Sequence, residues 1–173
     1  GFLLMGCFTS LYNYLGFRLV APPFSLSAGQ IGTIFLLYFV GMLACNLAPR
    51  MAERFGRPRT LGAMAASMAA GVALTLAWQL PMVIVGVGIF TFGFFAGHTV
   101  AAGWVGRRPA VARALAAALY LCSYYIGASV FGTLSGLAWQ FDGWIGVAAC
   151  LIGALVVCCG VAWRLGHLGM GKA

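Results

Sequence analysis

Long runs of apolar residues, separated by short polar stretches, dominate the sequence. Six of these runs are long enough for a helix that crosses a bilayer, which needs about 17–25 residues. They cover approximately residues 1–17, 32–48, 61–78, 82–105, 112–137 and 144–163. The pattern therefore predicts six membrane-spanning helices, and their short connections predict that neighbouring helices pack antiparallel.

The positions of proline and tryptophan, which were not used to define the runs, agree with the boundaries of the runs. All six prolines fall between runs, where a missing N–H group does least harm. They are Pro22, Pro23, Pro49, Pro58, Pro81 and Pro109. All five tryptophans (Trp78, Trp104, Trp139, Trp144 and Trp163) lie at or near the ends of runs, the interfacial position that their amphipathic rings prefer.

The composition excludes a soluble globular domain. Of the 173 residues, 63% are hydrophobic and only 7% are charged, whereas a soluble domain carries about a quarter charged residues. Glu53 and Asp142 are the only two acidic residues, too few to solvate a globular surface. We therefore expect an all-α integral membrane protein.

The basic residues predict the orientation in the membrane. Nine of the ten lie in the second connection, the fourth connection and the tail, and Arg18 alone lies on the other side. The nine are Arg50, Arg54, Arg57, Arg59, Arg107, Arg108, Arg113, Arg164 and Lys172. By the positive-inside rule, that side and both ends of the chain face the cytoplasm. Topology accounts for the net charge of +8, so we expect no nucleic-acid partner.

The chain begins at Gly1, at the edge of the first apolar run. It shows neither the basic n-region nor the small-residue cleavage site of a signal peptide. We therefore expect it to be a piece of a longer protein. Small residues four apart, as in Gly93–Gly97 and Gly132–Gly136, and the glycines Gly146, Gly153 and Gly160 predict close helix packing.

The fifth run carries polar side chains on one helix face. Tyr120, Ser123 and Tyr124 share that face, and counting from Arg113 places the tyrosines about 10 and 16 Å into the membrane. An interfacial aromatic belt does not explain tyrosines at that depth. Since a buried hydroxyl needs a partner, this face is predicted to line a cavity or to meet a neighbouring helix.

The first run carries a narrow polar stripe of Gly6, Thr9, Ser10 and Asn13 at helical spacing. Two interpretations stay open, namely interhelical hydrogen bonds of about 1 kcal/mol each and contact with a substrate. Tyr12 flanks the stripe and could share its site. Tyr38 in the second run is a weaker cavity candidate, because no polar residue stands three or four positions from it.

His98 lies in the fourth run, at helical spacing from Thr91, Phe94 and Phe95. It precedes Arg107 by nine residues and therefore sits about 13 Å into the membrane. An ionisable residue at that depth is a candidate for function, because its imidazole could respond to proton movement or donate to a substrate. The alternative is a neutral histidine bonded to a carbonyl or hydroxyl of a neighbouring helix.

The second connection reads PRMAERFGRPRT, residues 49–60. It could be a basic cytoplasmic loop in which Glu53 forms a surface ion pair of little energetic value. The stretch also resembles the cytoplasmic loop signature of the major facilitator superfamily, with Glu53, Arg54, Gly56 and Arg57 at the Asp, Arg, Gly and Arg of the motif. Pro49 replaces the first Gly. The resemblance implies a cytoplasmic gate, in which the carboxylate engages a helix N-terminus of the other half of the transporter.

The resemblance extends over essentially the whole chain. YNYLGFRL, APPFSLSAGQIG, GFFAGHTVAAGWVG and ALYLCSYYIGASVFGTLSG resemble the C-terminal half of bacterial efflux permeases of the arabinose-efflux-permease-like, drug:proton antiporter type. The six spans would then be helices seven to twelve of a twelve-helix fold in the bacterial inner membrane. The resemblance implies alternating access around a midplane site, with helices seven, eight, ten and eleven lining the cavity.

The sequence thus favours a secondary transporter that exports a small neutral or amphipathic molecule, such as a drug-like compound or a sugar, with protons as the coupling ion. The partners expected are the substrate, protons, the lipid bilayer and the missing N-terminal half. No motif for a metal, a cofactor or catalysis is found, so we expect no enzyme. Two alternatives stay open: a non-transporting six-helix protein (a structural or assembly partner, or a truncated product) and a homodimerising half-transporter.

Overall fold

The structure is a computed structural model that describes residues 1–107 and 109–168. Within these residues all regular structure is helical, which confirms the predicted all-α fold. Arg108 and Lys172, two of the nine basic residues assigned to one side of the membrane, lie outside the described residues.

Six α-helices and one short 3₁₀ helix follow one another in the described part of the chain. They are α1 (Phe2–Val20), α2 (Ala28–Gly32), the 3₁₀ helix (Thr33–Leu37), α3 (Tyr38–Phe55), α4 (Arg57–Leu74), α5 (Leu80–Val105) and α6 (Ala110–His167). Helix α6 is broken by non-helical backbone at Asp142 and at Gly143, whose φ is +55°. The break divides α6 into two parts and falls in the connection predicted between the fifth and sixth runs.

Three helical stretches of the described chain are long and apolar enough to cross a membrane by length and composition. They are Ala28–Phe55, Leu80–Val105 and Val111–His167. Helix also occupies most of each of the six predicted ranges, but the number of membrane crossings stays a prediction.

Pro49 departs from the expected pattern, because it lies inside α3 rather than between helices. The chain reverses direction at Gly56 instead, which connects α3 to α4 with φ +84° and ψ 145°. Only glycine adopts such a backbone conformation without strain. Thr60 reinforces the turn, since its hydroxyl lies 2.9 Å from the Gly56 carbonyl and 3.2 Å from the Met51 carbonyl.

The bundle is built from four main helix pairings: α1 packs on α6, α4 packs on both α5 and α6, and α3 packs on α5. Close approach of α4 and α5 depends on Gly71 and Gly86, since a Cβ atom on Gly86 would lie 2.6 Å from the Gly71 carbonyl oxygen. Of the glycines predicted to mediate packing, Gly93 meets the Met64 carbonyl, whereas others face open space: Gly132, Gly153 and Gly160.

At the end of the bundle where α1 ends, Arg18 contacts three other segments of the chain. Its Nη2 donates to the Ala77 carbonyl at 2.8 Å, and its guanidinium lies 5.5 Å from the ring centroids of both Phe24 and Trp144. The indole of Trp144 in turn donates to the Thr75 hydroxyl at 3.2 Å. Arg18 thereby ties the end of α1 to the α4–α5 connection and to the second part of α6.

Candidate functional site

A continuous strip of aromatic side chains, here called the aromatic wall, runs from α1 and α3 across α5 to the first part of α6. Each ring lies 3.9–5.9 Å, centroid to centroid, from a neighbour in the strip. The members are Phe8, Tyr12, Tyr38, Phe94, Phe95, His98, Tyr120 and Tyr124. The wall therefore brings together residues that are up to 116 positions apart in the chain.

Helical spacing places the members of each helix side by side. Phe8 and Tyr12 on α1 are four residues apart, as are Phe94 and His98 on α5, so each pair shares one helix face. Phe8 stacks on Phe94 with centroids 3.9 Å apart and an interplanar angle of 19°. Tyr38 closes the α3 side, 5.3 Å from the ring of Tyr12. Stacking between α1 and α5 thus forms the centre of the wall.

The hydroxyl of Tyr12 has a defined donor role. Its oxygen lies 2.8 Å from Thr91 Oγ1, and the Thr91 hydroxyl itself donates to the Val87 carbonyl at 2.7 Å. A hydroxyl carries a single hydrogen, so Tyr12 is the donor in its bond with Thr91. The lone pairs of the Tyr12 oxygen are then available to accept a hydrogen bond from another molecule.

His98 pairs with Tyr120 at the opposite end of the wall. The Tyr120 hydroxyl lies 2.9 Å from His98 Nδ1, and the rings of Phe94 and Tyr124 lie 5.9 and 5.1 Å from the imidazole. The structure thus supplies the hydroxyl of a neighbouring helix that the sequence offered as one explanation for His98. Both rings are half-buried, so the pair is shielded but reachable.

Four predicted cavity residues lie outside the wall. Asn13 and Ser123 are exposed on their helices, and Thr9 is half-buried. Ser10 is fully buried, and neither the Thr9 nor the Ser10 hydroxyl has a hydrogen-bond partner. Of the two interpretations that the sequence left open for the stripe, interhelical hydrogen bonds are therefore not formed by these two hydroxyls, and contact with a substrate stays a prediction.

Sequence reasoning missed the phenylalanines as members of the site. Phe94 and Phe95 do share the helix face of His98, a spacing visible in the sequence, but phenylalanine in an apolar run is usually a packing residue. No sequence feature identified Phe8 as a member of the site, since its place in the wall depends on how α1 and α5 pack together.

The four residues of the predicted gate lie at the α3–α4 turn. Glu53 and Arg54 are exposed, whereas Arg57 is half-buried. The Arg54 guanidinium lies 5.2 Å from the ring centroid of Phe55. A cavity of about 180 Å³ adjoins the turn, with Glu53 and Arg57 among its lining residues. The motif therefore presents both signs of charge at one end of the bundle.

Comparisons with known proteins place the chain among transporters. No family model matches it, and no solved structure matches it. The chain is 40% identical over 168 residues to the uncharacterized MFS-type transporter YybF of Bacillus subtilis, a match that covers 97% of the chain and 41% of that protein. It is 40% identical over 165 residues to the inner membrane transport protein YnfM of Escherichia coli, which covers 95% of the chain and 40% of that protein.

An uncharacterized transporter of Buchnera aphidicola subsp. Schizaphis graminum is 35% identical over 156 residues, covering 90% of the chain and 38% of that protein. The chain thus spans about two fifths of the length of these curated relatives, an extent consistent with the predicted C-terminal half. The names are those of transporters, in agreement with the expectation that the chain is not an enzyme. The chain is therefore a relative of transporters, one of them named an MFS-type transporter. The predicted resemblance to the major facilitator superfamily is confirmed, and the drug:proton antiporter type stays a prediction.

Proposed function

We propose that this chain is the C-terminal six-helix half of a twelve-helix secondary transporter of the bacterial inner membrane. The transporter exports a small neutral or amphipathic organic molecule, a drug-like compound or a sugar, by alternating access with protons as the coupling ion. Support comes from the relatives, whose names are those of transporters, one of them an inner membrane transport protein.

In this proposal six helical segments cross the membrane. They are α1, the stretch from α2 to the end of α3, α4, α5 and the two parts of α6 on either side of Asp142 and Gly143. The α3–α4 turn and the start of α6 face the cytoplasm, because the basic residues of the second and fourth connections lie there. The end of α1 with Arg18 faces outward.

The aromatic wall is the observation that carries the proposal. Tyr12, Tyr38, Tyr120 and Tyr124 are half-buried and belong to helices of very apolar sequence. Polar side chains at membrane depth face either protein or a water-filled cavity, since lipid cannot satisfy them. The wall would therefore line the central cavity and face the N-terminal half. Aromatic faces and hydroxyls without a fixed charge suit a neutral or amphipathic substrate.

Proton coupling is proposed to act through His98 and Tyr120. When the imidazole is neutral with Nδ1 unprotonated, Tyr120 donates its hydroxyl hydrogen to Nδ1. A protonated imidazole donates from both ring nitrogens, so Nδ1 becomes the donor and the hydroxyl hydrogen of Tyr120 is released for another acceptor. Protonation of His98 would thus change what the wall offers to a substrate.

The proposed gate consists of Glu53, Arg54, Gly56 and Arg57. The exposed Glu53 carboxylate would meet a helix N-terminus of the other half, a contact worth up to about 2 kcal/mol when partly buried. This contact would hold the two halves together on the cytoplasmic side while the outer side is open. The remaining cavity candidates, Thr9, Ser10, Asn13 and Ser123, stay proposals, of which Asn13 and Ser123 are the accessible ones.

Transport by the complete protein in proteoliposomes tests the proposal. With an imposed proton gradient, we expect accumulation of at least one compound from a panel of neutral and amphipathic molecules, and loss of accumulation when the gradient is collapsed. Absence of transport across the whole panel, with protein shown to be inserted, would remove the main support.

His98→Gln tests the coupling, and His167→Gln, an exposed position at the end of α6, is the matched control. His98→Gln is expected to flatten the pH profile of transport, while His167→Gln leaves it unchanged. An unaltered activity and pH profile in His98→Gln would exclude His98 from the mechanism.

A further inference from the structure

A second and larger cavity lies at the end of the bundle where α5 stops and α6 begins. Its volume is about 590 Å³, within the range of about 300–1,000 Å³ that is typical of ligand-binding pockets. Side chains from four helices line it, among them Leu4, Leu61, Ala101, Trp104, Arg107 and Val161. It shares only Tyr120 with the aromatic wall, so it is a separate site.

The walls of this cavity are largely apolar. Leu4, Leu61, Ala101 and Val161 offer no hydrogen-bonding side-chain groups, and a buried water needs two to four polar partners. If the cavity were empty, the atoms that line it would also lose van der Waals contacts. An apolar group is therefore the occupant that the walls favour.

The polar groups of the lining indicate what that apolar group is attached to. Arg107 is exposed and lies two residues beyond the end of α5, which the proposed orientation places at the membrane surface. It lines this cavity and also the smaller one beside Glu53. Trp104 adds an indole ring at the same level, which is typical of the lipid headgroup region. A basic residue at the rim of an apolar cavity complements an amphiphile with a negatively charged head.

We propose that this cavity binds an anionic phospholipid of the cytoplasmic leaflet. One acyl chain lies between Leu4, Leu61 and Val161, and the phosphate of the headgroup lies against Arg107. Phosphate and guanidinium match in charge and in hydrogen-bonding geometry. The proposal rests on the membrane orientation given in the proposed function, which places the end of α5 at the cytoplasmic surface.

A lipid bound in the cavity would contact one residue of the aromatic wall. Tyr120 lines the cavity and also bonds to His98 through its hydroxyl. A lipid chain beside the Tyr120 ring would therefore contact the side chain that the proposed coupling uses.

Fluorescence quenching of Trp104 by brominated lipid tests the proposal in the complete protein. Vesicles contain phosphatidylglycerol and phosphatidylcholine, with bromine on the chains of only one of the two in each preparation. The contribution of Trp104 is the difference between the native protein and Trp104→Phe. We expect Trp104 to be quenched more strongly when phosphatidylglycerol carries the bromine.

Trp163 is the matched control, because it lies near the end of α6 and is 68% exposed, so it reports the lipid that surrounds the protein. The preference for phosphatidylglycerol is expected at Trp104 and not at Trp163. Arg107→Gln should reduce the preference about fivefold, which corresponds to about 1 kcal/mol for one basic residue near an anionic surface. Ala101→Leu should reduce quenching of Trp104 by either lipid, because it fills the cavity.

Equal quenching of Trp104 by the two lipids, a preference that Arg107→Gln leaves intact, or quenching of Trp104 that Ala101→Leu leaves unchanged would overturn the proposal. Quenching of Trp163 in the same samples confirms that each variant is inserted in the bilayer. Transport activity is measured in parallel, so that transport without a lipid preference would overturn the lipid site alone, and a lipid preference without transport would overturn the proposed function alone.

Discussion

Replacement of Gly86 by alanine tests the packing on which the bundle depends. The added Cβ atom would lie 2.6 Å from the Gly71 carbonyl oxygen, 2.9 Å from Leu74 Cβ and 3.1 Å from the Thr75 amide nitrogen. Two of these three neighbours are backbone atoms, which cannot move aside as a flexible side chain can. The substitution therefore forces α4 and α5 apart.

The expected cost follows from two opposing contributions. Overpacking costs about 1–3 kcal/mol, and the better helix propensity of alanine returns about 0.5–1 kcal/mol. The middle of the two ranges leaves a net destabilisation of about 1 kcal/mol, which for a domain of this size lowers the midpoint of thermal unfolding by about 2–4 °C.

Thermal unfolding in detergent can be followed with a dye that becomes fluorescent on reaction with thiols, because Cys7 and Cys158 are buried and react only after unfolding. The matched control is Gly153→Ala, where a Cβ atom would meet nothing within 4 Å. The control should leave the midpoint unchanged or raise it. Equal midpoints for Gly86→Ala and Gly153→Ala would refute the close contact between α4 and α5.

Three further substitutions test other parts of the structure. Arg18→Gln removes the charged donor to the Ala77 carbonyl, worth about 1.5–3 kcal/mol, and should lower the midpoint in the same assay; an unchanged midpoint would contradict the role given to Arg18. Gly56→Ala places a side chain at φ +84° and should cost about 1–3 kcal/mol; a stability equal to the native protein would mean that the α3–α4 turn differs. Tyr12→Phe leaves the Thr91 hydroxyl bonded within its own helix, so the free energy of unfolding should change by about 0.6 kcal/mol or less. The KM for transport should rise, and an unaltered KM would exclude the Tyr12 hydroxyl from substrate contact.

Much of the helical architecture follows from the sequence, because the determinants are local. The polar residues around Asp142 and Gly143 interrupt an apolar run, and the break in α6 falls there. Pro49 shows the limit of such reasoning. Proline marks a helix boundary only when another residue does not provide the turn, and in this chain Gly56 provides it.

The candidate site was only partly predictable, since it depends on which helix faces meet. Helical spacing placed Tyr120 and Tyr124 on one face, and the structure brings both to His98. The same spacing included Ser123, which the structure leaves exposed. The register between helices cannot be read from one sequence, so Phe8 went unnoticed although it stacks at the centre of the wall.

Glycine packing illustrates the same limit. The four-residue spacing of Gly93 and Gly97 predicted a contact that the structure contains. Gly71 and Gly86 form a closer contact with no such spacing, because they lie on different helices. A glycine mediates close packing only when another helix faces it, and the tertiary structure determines which helix faces each glycine.

Accessibility to water tests whether the aromatic wall lines a transport cavity. Single cysteines are introduced as Tyr38→Cys, Tyr124→Cys and Leu43→Cys in the complete protein after replacement of its native cysteines. Leu43 is 63% exposed and lies about 140° round α3 from Tyr38, so it serves as the outward-facing control. A membrane-impermeant thiol reagent reacts with thiolates, which form in water and not in lipid. We expect labelling at positions 38 and 124, slowed by a transported substrate, and no labelling at position 43. Labelling at position 43 with no reaction at positions 38 and 124 would contradict a cavity lined by the wall.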